Sequence, residues 1–342
     1  MTVLVTGNLG YVGTNTTEYL RNLAFDVVGL DSGFYRNCNI SSIKHDVKTI
    51  NKDIRDTEIS DFSNIDTVVH LAALSNDPVG EIDSSLTLDI NYKGAVRVAE
   101  LAKKSKVSRF IFVSTQSIYG LSEESIELDE DNSIKNPQTA YASSKWLAEQ
   151  EILSMANQTF TTTALRPSTV FGWGPRLRSD IVFNNLLLSG MKYQKINVHS
   201  DGTPWRPVVH INDLIRAIEI CIKIAPEKIS GKAFNIGLLG GNYNVKQIAE
   251  AARDCLGDIP IFYNTENILD SRSYQVSFKK AQSELDFKAS TNLKLGGTEI
   301  VTESKKLIIN GIELMDRKTN RLLQINYLLS NGHIDEKLRF IN

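Results

Sequence analysis

The sequence predicts an α/β protein built on a doubly wound parallel sheet with a smaller second lobe, and three observations carry that expectation. Runs rich in β-branched residues recur along the first half, they lack polar alternation, and helix-period segments separate them. "TVLVT" (2–6), "DVVGL" (26–30), "DTVVHLA" (66–72), "RFIFVS" (109–114) and "TTALR" (162–166) read as strands buried on both faces. Between them, "YVGTNTTEYLRNLA" (11–24), "INYKGAVRVAELAKKSK" (90–106) and "AYASSKWLAEQEILSMA" (140–156) place apolar residues at helical spacing. Strands alternating with helices pair in parallel, because a parallel pair needs a long crossover connection. After about residue 167 the texture changes. "RPSTVFGWGPRLRSD" and "HSDGTPWRPVVHIND" are rich in Gly, Pro and Trp, helices such as "DLIRAIEICIKI" (213–224) intervene, and this half reads as the second lobe. The tail from 316 to 340 reads as a final helix stopped near Gly332.

Composition narrows the partners. In 342 residues, 38 basic side chains nearly balance 40 acidic ones and no block of like charge occurs, so nothing supports binding to nucleic acid or an anionic membrane. Cys38, Cys221 and Cys255 are odd in number and far apart, which offers neither a disulfide framework nor a Cys-x-x-Cys metal knuckle. His70, His199 and His210 show no ligand spacing, and no metal is expected. The start of the chain carries no basic leader and no run of eighteen apolar residues occurs, so a soluble protein of a reducing cytoplasm is expected.

The first strand runs into "VTGNLGYVG", where Gly7, Gly10 and Gly13 stand three apart ahead of a helix. Such a strand, glycine turn and helix bring backbone N–H groups and a helix dipole to a pyrophosphate. Gly7 permits the turn, Gly10 lets the phosphates approach, and Gly13 lets the helix pack on the sheet. Asp31, at the end of the second strand, is placed to accept the adenosine ribose hydroxyls. It would repel a 2′-phosphate, and no Arg or Lys follows within four residues, so NAD is favoured over NADP. Asp53 and Ile54 in "KDIRD" offer an edge for the adenine ring.

Tyr141 and Lys145 lie four apart on a predicted helix, so both emerge on one face. A lysine ammonium beside a phenol lowers the tyrosine pKa and makes a general base for a sugar hydroxyl. "FVSTQSIYG" presents Ser114, Thr115 and Ser117 at a strand's carboxyl end, where ligands bind in open α/β sheets.

Taken together, "TGNLGYVG", Asp31, Asp53, "HLAA" (70–73), "NYKG" (91–94), "STQSIYG" (114–120), the Tyr141 and Lys145 pair and "DGTPWRPVVHINDL" (201–214) resemble the extended short-chain dehydrogenase/reductases, in their nucleotide-sugar epimerase/dehydratase branch. The resemblance implies an NAD-binding Rossmann domain, mainly 1–166, and a substrate-binding lobe, mainly 167–342, with some segments returning to the sheet. It implies Thr115, Tyr141 and Lys145 as the catalytic group, Tyr141 being the base and Lys145 orienting it and holding the nicotinamide ribose. Asn91 would support its helix and relay to Lys145. Cofactor contacts would come from Gly7, Asn8, Gly10, Tyr11, Val12, Gly13, Asp31, Ser32, Asp53, Ile54, Leu71, Ala72, Ala73, Asn91, Ser114, Tyr141, Lys145 and Pro167. The nucleoside-diphosphate sugar would meet Ser75, Thr115, Gln116, Ser117, Tyr141, Thr169, Arg206 and Arg272, the two arginines gripping the diphosphate. Thr169 replaces an asparagine common in epimerases. A homodimer would pair the helices at 90–106 and 140–156.

The implied activity is epimerisation at C4 through a 4-keto intermediate, in activated-sugar or surface-polysaccharide biosynthesis. A 4-dehydrogenase or 4-keto-sugar reductase, and more remotely a non-catalytic NAD-binding scaffold, stay open. A 4,6-dehydratase is not expected. That reaction needs a further acid and base, family dehydratases place them after the strand-end threonine, and here Gln116 and Ser117 stand there. The nearest carboxylates by sequence are Glu123 and Glu124.

Overall fold

The computed structural model describes residues 1–44, 47–122, 126–264 and 273–341. Seven parallel strands form the main sheet: β1 (Thr2–Thr6), β2 (Asp26–Asp31), β3 (Thr49–Asn51), β4 (Thr67–His70), β5 (Arg109–Val113), β6 (Thr161–Pro167) and β7 (Lys232–Ile236). Their spatial order is β7-β6-β5-β4-β1-β2-β3. The chain moves outward from β1 to β3, then crosses back to β4, which pairs with the other side of β1. The crevice above β1 and β4 is therefore the switch point of the sheet, where open α/β sheets bind ligands. All five runs read as strands lie in this sheet. The two others escape a periodicity reading, β3 because it has three residues and β7 because it enters from far along the chain.

Helices cover both faces. Alternate residues of β1 divide between two cores. Leu4 joins Leu30, Val68 and Phe110 beneath α2 (Ala95–Lys104) and α3 (Ala140–Ser154), while Val3 and Val5 join Val69, Ile111 and Leu165 beneath α1 (Tyr11–Asn22) and a later helix (Ile211–Lys223). Full burial on both sides explains why these strands carry no polar alternation. The helix expected at 90–106 begins earlier, at Ser84, and widens into a π turn over Asp89–Gly94 before α2. At α3 the Thr139 hydroxyl accepts from Ala142 N–H (3.2 Å) and caps the first turn.

A third core lies under Val182–Tyr193, Val245–Leu256 and Leu293–Ile309, around Phe171, Phe183 and Ile248. Beside it, strand Trp205–His210 runs parallel to Thr169–Phe171 and antiparallel to Asn242–Asn244. The tail departs from the expected long helix. Asn320 caps a shorter one, Arg321–Ser330, Gly332 turns out of it at φ +65°, and the chain returns as an antiparallel bridge between Ile334 and Phe340. Among the described residues no helix is long and apolar enough to cross a membrane.

Candidate active site

The turn from β1 into α1 is made of backbone. Gly7 has φ +72°, and a Cβ there would lie 2.8 Å from Ala72 N. At Gly13 a Cβ would lie 2.0 Å from the Gly7 carbonyl oxygen, so helix and loop meet only because both positions are bare. No side chain caps α1 and no acidic residue sits in its first turn. Its amide end is therefore left for an anion. Gly7, Gly10, Tyr11, Val12, Gly13, Asp31, Ser32, Asp53, Ile54, Leu71, Ala72 and Ala73 together line one cavity of about 840 Å³. A bare loop, an uncapped helix and a terminal carboxylate in one cavity fit NAD. Asn8 is set apart from this group. It is buried against Gly29, and its amide donates to the Thr49 hydroxyl (2.9 Å), so it fastens β2 and β3 from below.

Asp31 accepts from Leu9 N–H (3.0 Å) and Gly33 N–H (2.7 Å). Burial raises its pKa, and these two bonds oppose the rise. Arg36, five residues along the chain, and the distant Arg176 also lie within electrostatic reach of it. Both are engaged: Arg36 with Asn51 (2.7 Å), and Arg176 with the Thr14 hydroxyl and the carbonyls of Tyr35 and Arg36. Asp53 pairs with Arg55 (2.8 Å) and Arg339 (3.4 Å).

A second cleft of about 1460 Å³ shares Tyr11, Val12, Leu71, Ala73 and Ser75 with the first. Ser114, Thr115, Ser117, Tyr141, Lys145, Pro167, Thr169 and Arg206 line it. Helical spacing puts Tyr141 and Lys145 on one wall, and the end of β5 puts Ser114 and Thr115 beside them. The Ser114 hydroxyl is buried without a hydrogen-bond partner. Thr115 donates to Ser117 Oγ (3.2 Å) and accepts from Ser117 N–H (3.1 Å). Two expected residues turn elsewhere. Gln116 donates to the Arg166 carbonyl (3.0 Å) and accepts from Ser168 (3.1 Å), buried beneath the cleft because the short helical turn Gln116–Tyr119 rotates it inward. Asn91 spends its amide on both backbone groups of Leu74 (2.7 and 3.1 Å), which pins the loop after β4. Arg272, Glu123 and Glu124 lie outside the described residues.

Burial pushes the Tyr141 phenol up to about 12, and Asp77 adds to the rise. The neighbouring Thr115 hydroxyl and the Arg178 guanidinium pull it down. Lys145 lines the same cleft, one helical turn on. Burial lowers the lysine itself to about 7, partly offset by Glu149, and its ammonium nitrogen lies 4.1 Å from the centre of the Phe112 ring. The helical spacing of Tyr141 and Lys145 therefore brings both side chains into one cleft.

Sequence reasoning passed over Arg178. It lines both cavities, pairs with Asp180 through two nitrogens (2.9 and 2.7 Å) and donates to the Ser75 hydroxyl (3.2 Å). The only signal was an arginine and aspartate two apart in "RLRSD", which is indistinguishable from a surface pair. Asp77 and Tyr274 line the cleft as well, and Asp77 accepts from the Thr139 hydroxyl (2.6 Å).

Residues 3–237 match the model of the NAD dependent epimerase/dehydratase family. The UDP-glucose 4-epimerase of Lacticaseibacillus casei is 26% identical over 309 residues, covering 84% of this chain and 92% of that protein. A dTDP-D-glucose 4,6-dehydratase of Dictyostelium discoideum is 28% identical over 265 residues, covering 69% of this chain and 58% of its own length. Among solved structures, MoeE5 in complex with UDP-glucuronic acid and NAD is similar at a TM-score of 0.77 and 26% identity, covering 91% of this chain and 100% of that one. With a glycine-cradled cavity opening onto a tyrosine and lysine cleft, the chain belongs to the NAD dependent epimerase/dehydratase family and is an NAD-dependent nucleotide-sugar enzyme of the extended short-chain dehydrogenase/reductase type.

Proposed function

We propose that the protein interconverts nucleoside-diphosphate sugars that differ at C4, through a 4-keto sugar. The observation that carries this reading is the shared wall of Thr115, Tyr141 and Lys145 in a cleft continuous with the cofactor cavity, with no carboxylate following Thr115. Gly7, Gly10, Gly13 and the amide end of α1 hold the pyrophosphate, and Asp31 holds the adenosine ribose. Bound NAD supplies the hydride acceptor and donor. Tyr141 takes the C4 hydroxyl proton as the ketone forms and gives it back as the ketone is reduced. Thr115 shares the hydrogen bond to that oxygen, and the Thr115 hydroxyl and the Arg178 guanidinium favour the phenolate. Lys145 orients the nicotinamide ribose, Ser75, Ser117 and Thr169 border the sugar, and Arg206 grips the diphosphate.

Two further carboxylates come to the cleft, closer than sequence order suggested, and both are engaged. Asp77 holds Thr139 at the cap of α3, and Asp180 pairs with Arg178. That supports epimerisation over loss of the C6 oxygen, although the family contains dehydratases. The similarity to UDP-glucose 4-epimerases supports a nucleotide sugar as substrate. The exposed faces of α2 and α3 serve a homodimer in a reducing cytoplasm. Light scattering is expected to give twice the 38.1 kDa chain mass, and a monomer at micromolar concentration counts against pairing.

The decisive experiment incubates the protein with UDP, GDP, dTDP and CDP hexoses and follows products by NMR. A C4 epimer from one of them is expected. Accumulation of a 4-keto-6-deoxy sugar overturns the reading, and a 4-keto sugar formed only with stoichiometric NAD reduction points to the dehydrogenase instead.

A further inference from the structure

Arg321 opens the last helix, yet it lines the same cavity as Gly7, Gly10 and Gly13. It is 1% exposed. Its guanidinium stacks on the Tyr35 ring, 4.4 Å from the centre, and donates to the carbonyls of Arg176 (2.8 Å) and Lys318 (3.3 Å). Among the described residues no carboxylate forms an ion pair with it, and burial together with the like charge of Arg178 disfavours its charged form. A buried charge without a partner costs stability, and such charges are retained where an opposite charge arrives.

The acids of the cavity do not meet that need. Asp31 is satisfied by two backbone N–H groups, and Asp53 is paired with Arg55 and Arg339. Arg321 lines the same cavity as Gly10 and Tyr11, which stand at the uncapped amide end of α1. Asp180 forms its ion pair with Arg178 and favours the charged Arg321 only through space, so Arg321 is the guanidinium of the two with no direct ion pair among the described residues.

We propose that Arg321 is a cofactor-binding residue that donates to the pyrophosphate of the bound dinucleotide from the side opposite the glycine loop. The inference rests on the NAD reading of this cavity. It makes the C-terminal segment part of the cofactor site. Beyond Arg321 the segment runs on to Arg339, which pairs with Asp53, and to Phe340, which stacks on Phe34 of the cavity wall at 5.7 Å between ring centres. Cofactor binding therefore clamps the last helix onto the sheet domain.

Calorimetric titration of the cofactor-free, full-length protein with NAD, ADP-ribose and adenosine tests this in the wild type, Arg321→Gln and Arg321→Lys. The glutamine variant should lose about 10- to 100-fold in affinity for NAD and ADP-ribose, the worth of one hydrogen bond to a charged group. Adenosine affinity should stay unchanged, and lysine should restore part of the loss. Hydrogen exchange supplies a second readout: NAD should protect amides 321–330 in the wild type. Unchanged NAD affinity in Arg321→Gln, or equal losses for NAD and adenosine, overturns the assignment and leaves Arg321 as a staple to the Arg176 carbonyl. Should the glutamine variant not fold, unaltered exchange of the wild-type helix on adding NAD overturns it alone. A wild type that does not bind NAD overturns the cofactor reading beneath it.

Discussion

Between Gly7 and Gly13 one wall of the active site is built from consecutive backbone, whereas the facing cleft is assembled from side chains of the loop after β4, the end of β5, helix α3, the stretch 167–182 and the strand that carries Arg206. The two walls fail differently under mutation. A backbone wall has no room to spare, since an added Cβ meets main-chain atoms that cannot move aside. A side-chain wall can lose a functional group while the fold around it persists. Binding of the cofactor and chemistry on the sugar should accordingly separate in variants.

Gly13→Val should have the largest effect. Its Cβ would fall 2.0 Å from the Gly7 carbonyl oxygen and 2.7 Å from Asn8 Cα, so either α1 or the loop must shift. NAD binding should disappear from a calorimetric titration and the melting midpoint should fall. Retention of both would show that the loop is softer than a backbone wall allows. Tyr141→Phe should instead leave NAD affinity and melting intact while turnover drops by roughly 10² to 10⁴, the usual worth of a positioned acid/base group. More than about a third of the wild-type rate would place the base elsewhere.

The smallest effect comes from Lys145, which lines the side-chain cleft. In the cofactor-free protein burial lowers its pKa from the ordinary 10.5 to about 7. Between those limits the unfolded chain holds a proton that the folded chain has released, so stability rises with pH across that window, by at most about 1.4 kcal/mol per pH unit. Urea unfolding at several pH values should show this slope in the wild type and its loss in Lys145→Met. Equal slopes in the two proteins would mean that the amine stays charged and is paired.

The contrast also explains what could be read in advance. Gly7, Gly10, Gly13 and Asp31 are nameable because their roles depend on spacing along one strand, turn and helix. Tyr141 and Lys145 are nameable because four residues make one helical turn. Gln116 and Asn91 sit inside equally strong motifs, yet the Asn91 amide is spent on Leu74 backbone and the Gln116 amide on the Arg166 carbonyl and the Ser168 hydroxyl, and motif membership does not report the direction of a side chain. Arg178 and Arg321 went unread because nothing local marks them. Each matters through partners far away in the chain, Ser75 for one and Arg176 for the other.

The sequence by itself determined the parallel sheet, the bare turn ahead of α1 and the tyrosine and lysine on one helical face, because local sterics and periodicity act within a few residues. Only the tertiary structure decided that Arg178 and Asp77 lie near Tyr141, that burial lowers the pKa of Lys145, and that the last helix returns to the first cavity. Those outcomes depend on desolvation and on charges brought together from distant segments, and an electrostatic environment is a property of the packed interior that no stretch of chain carries alone.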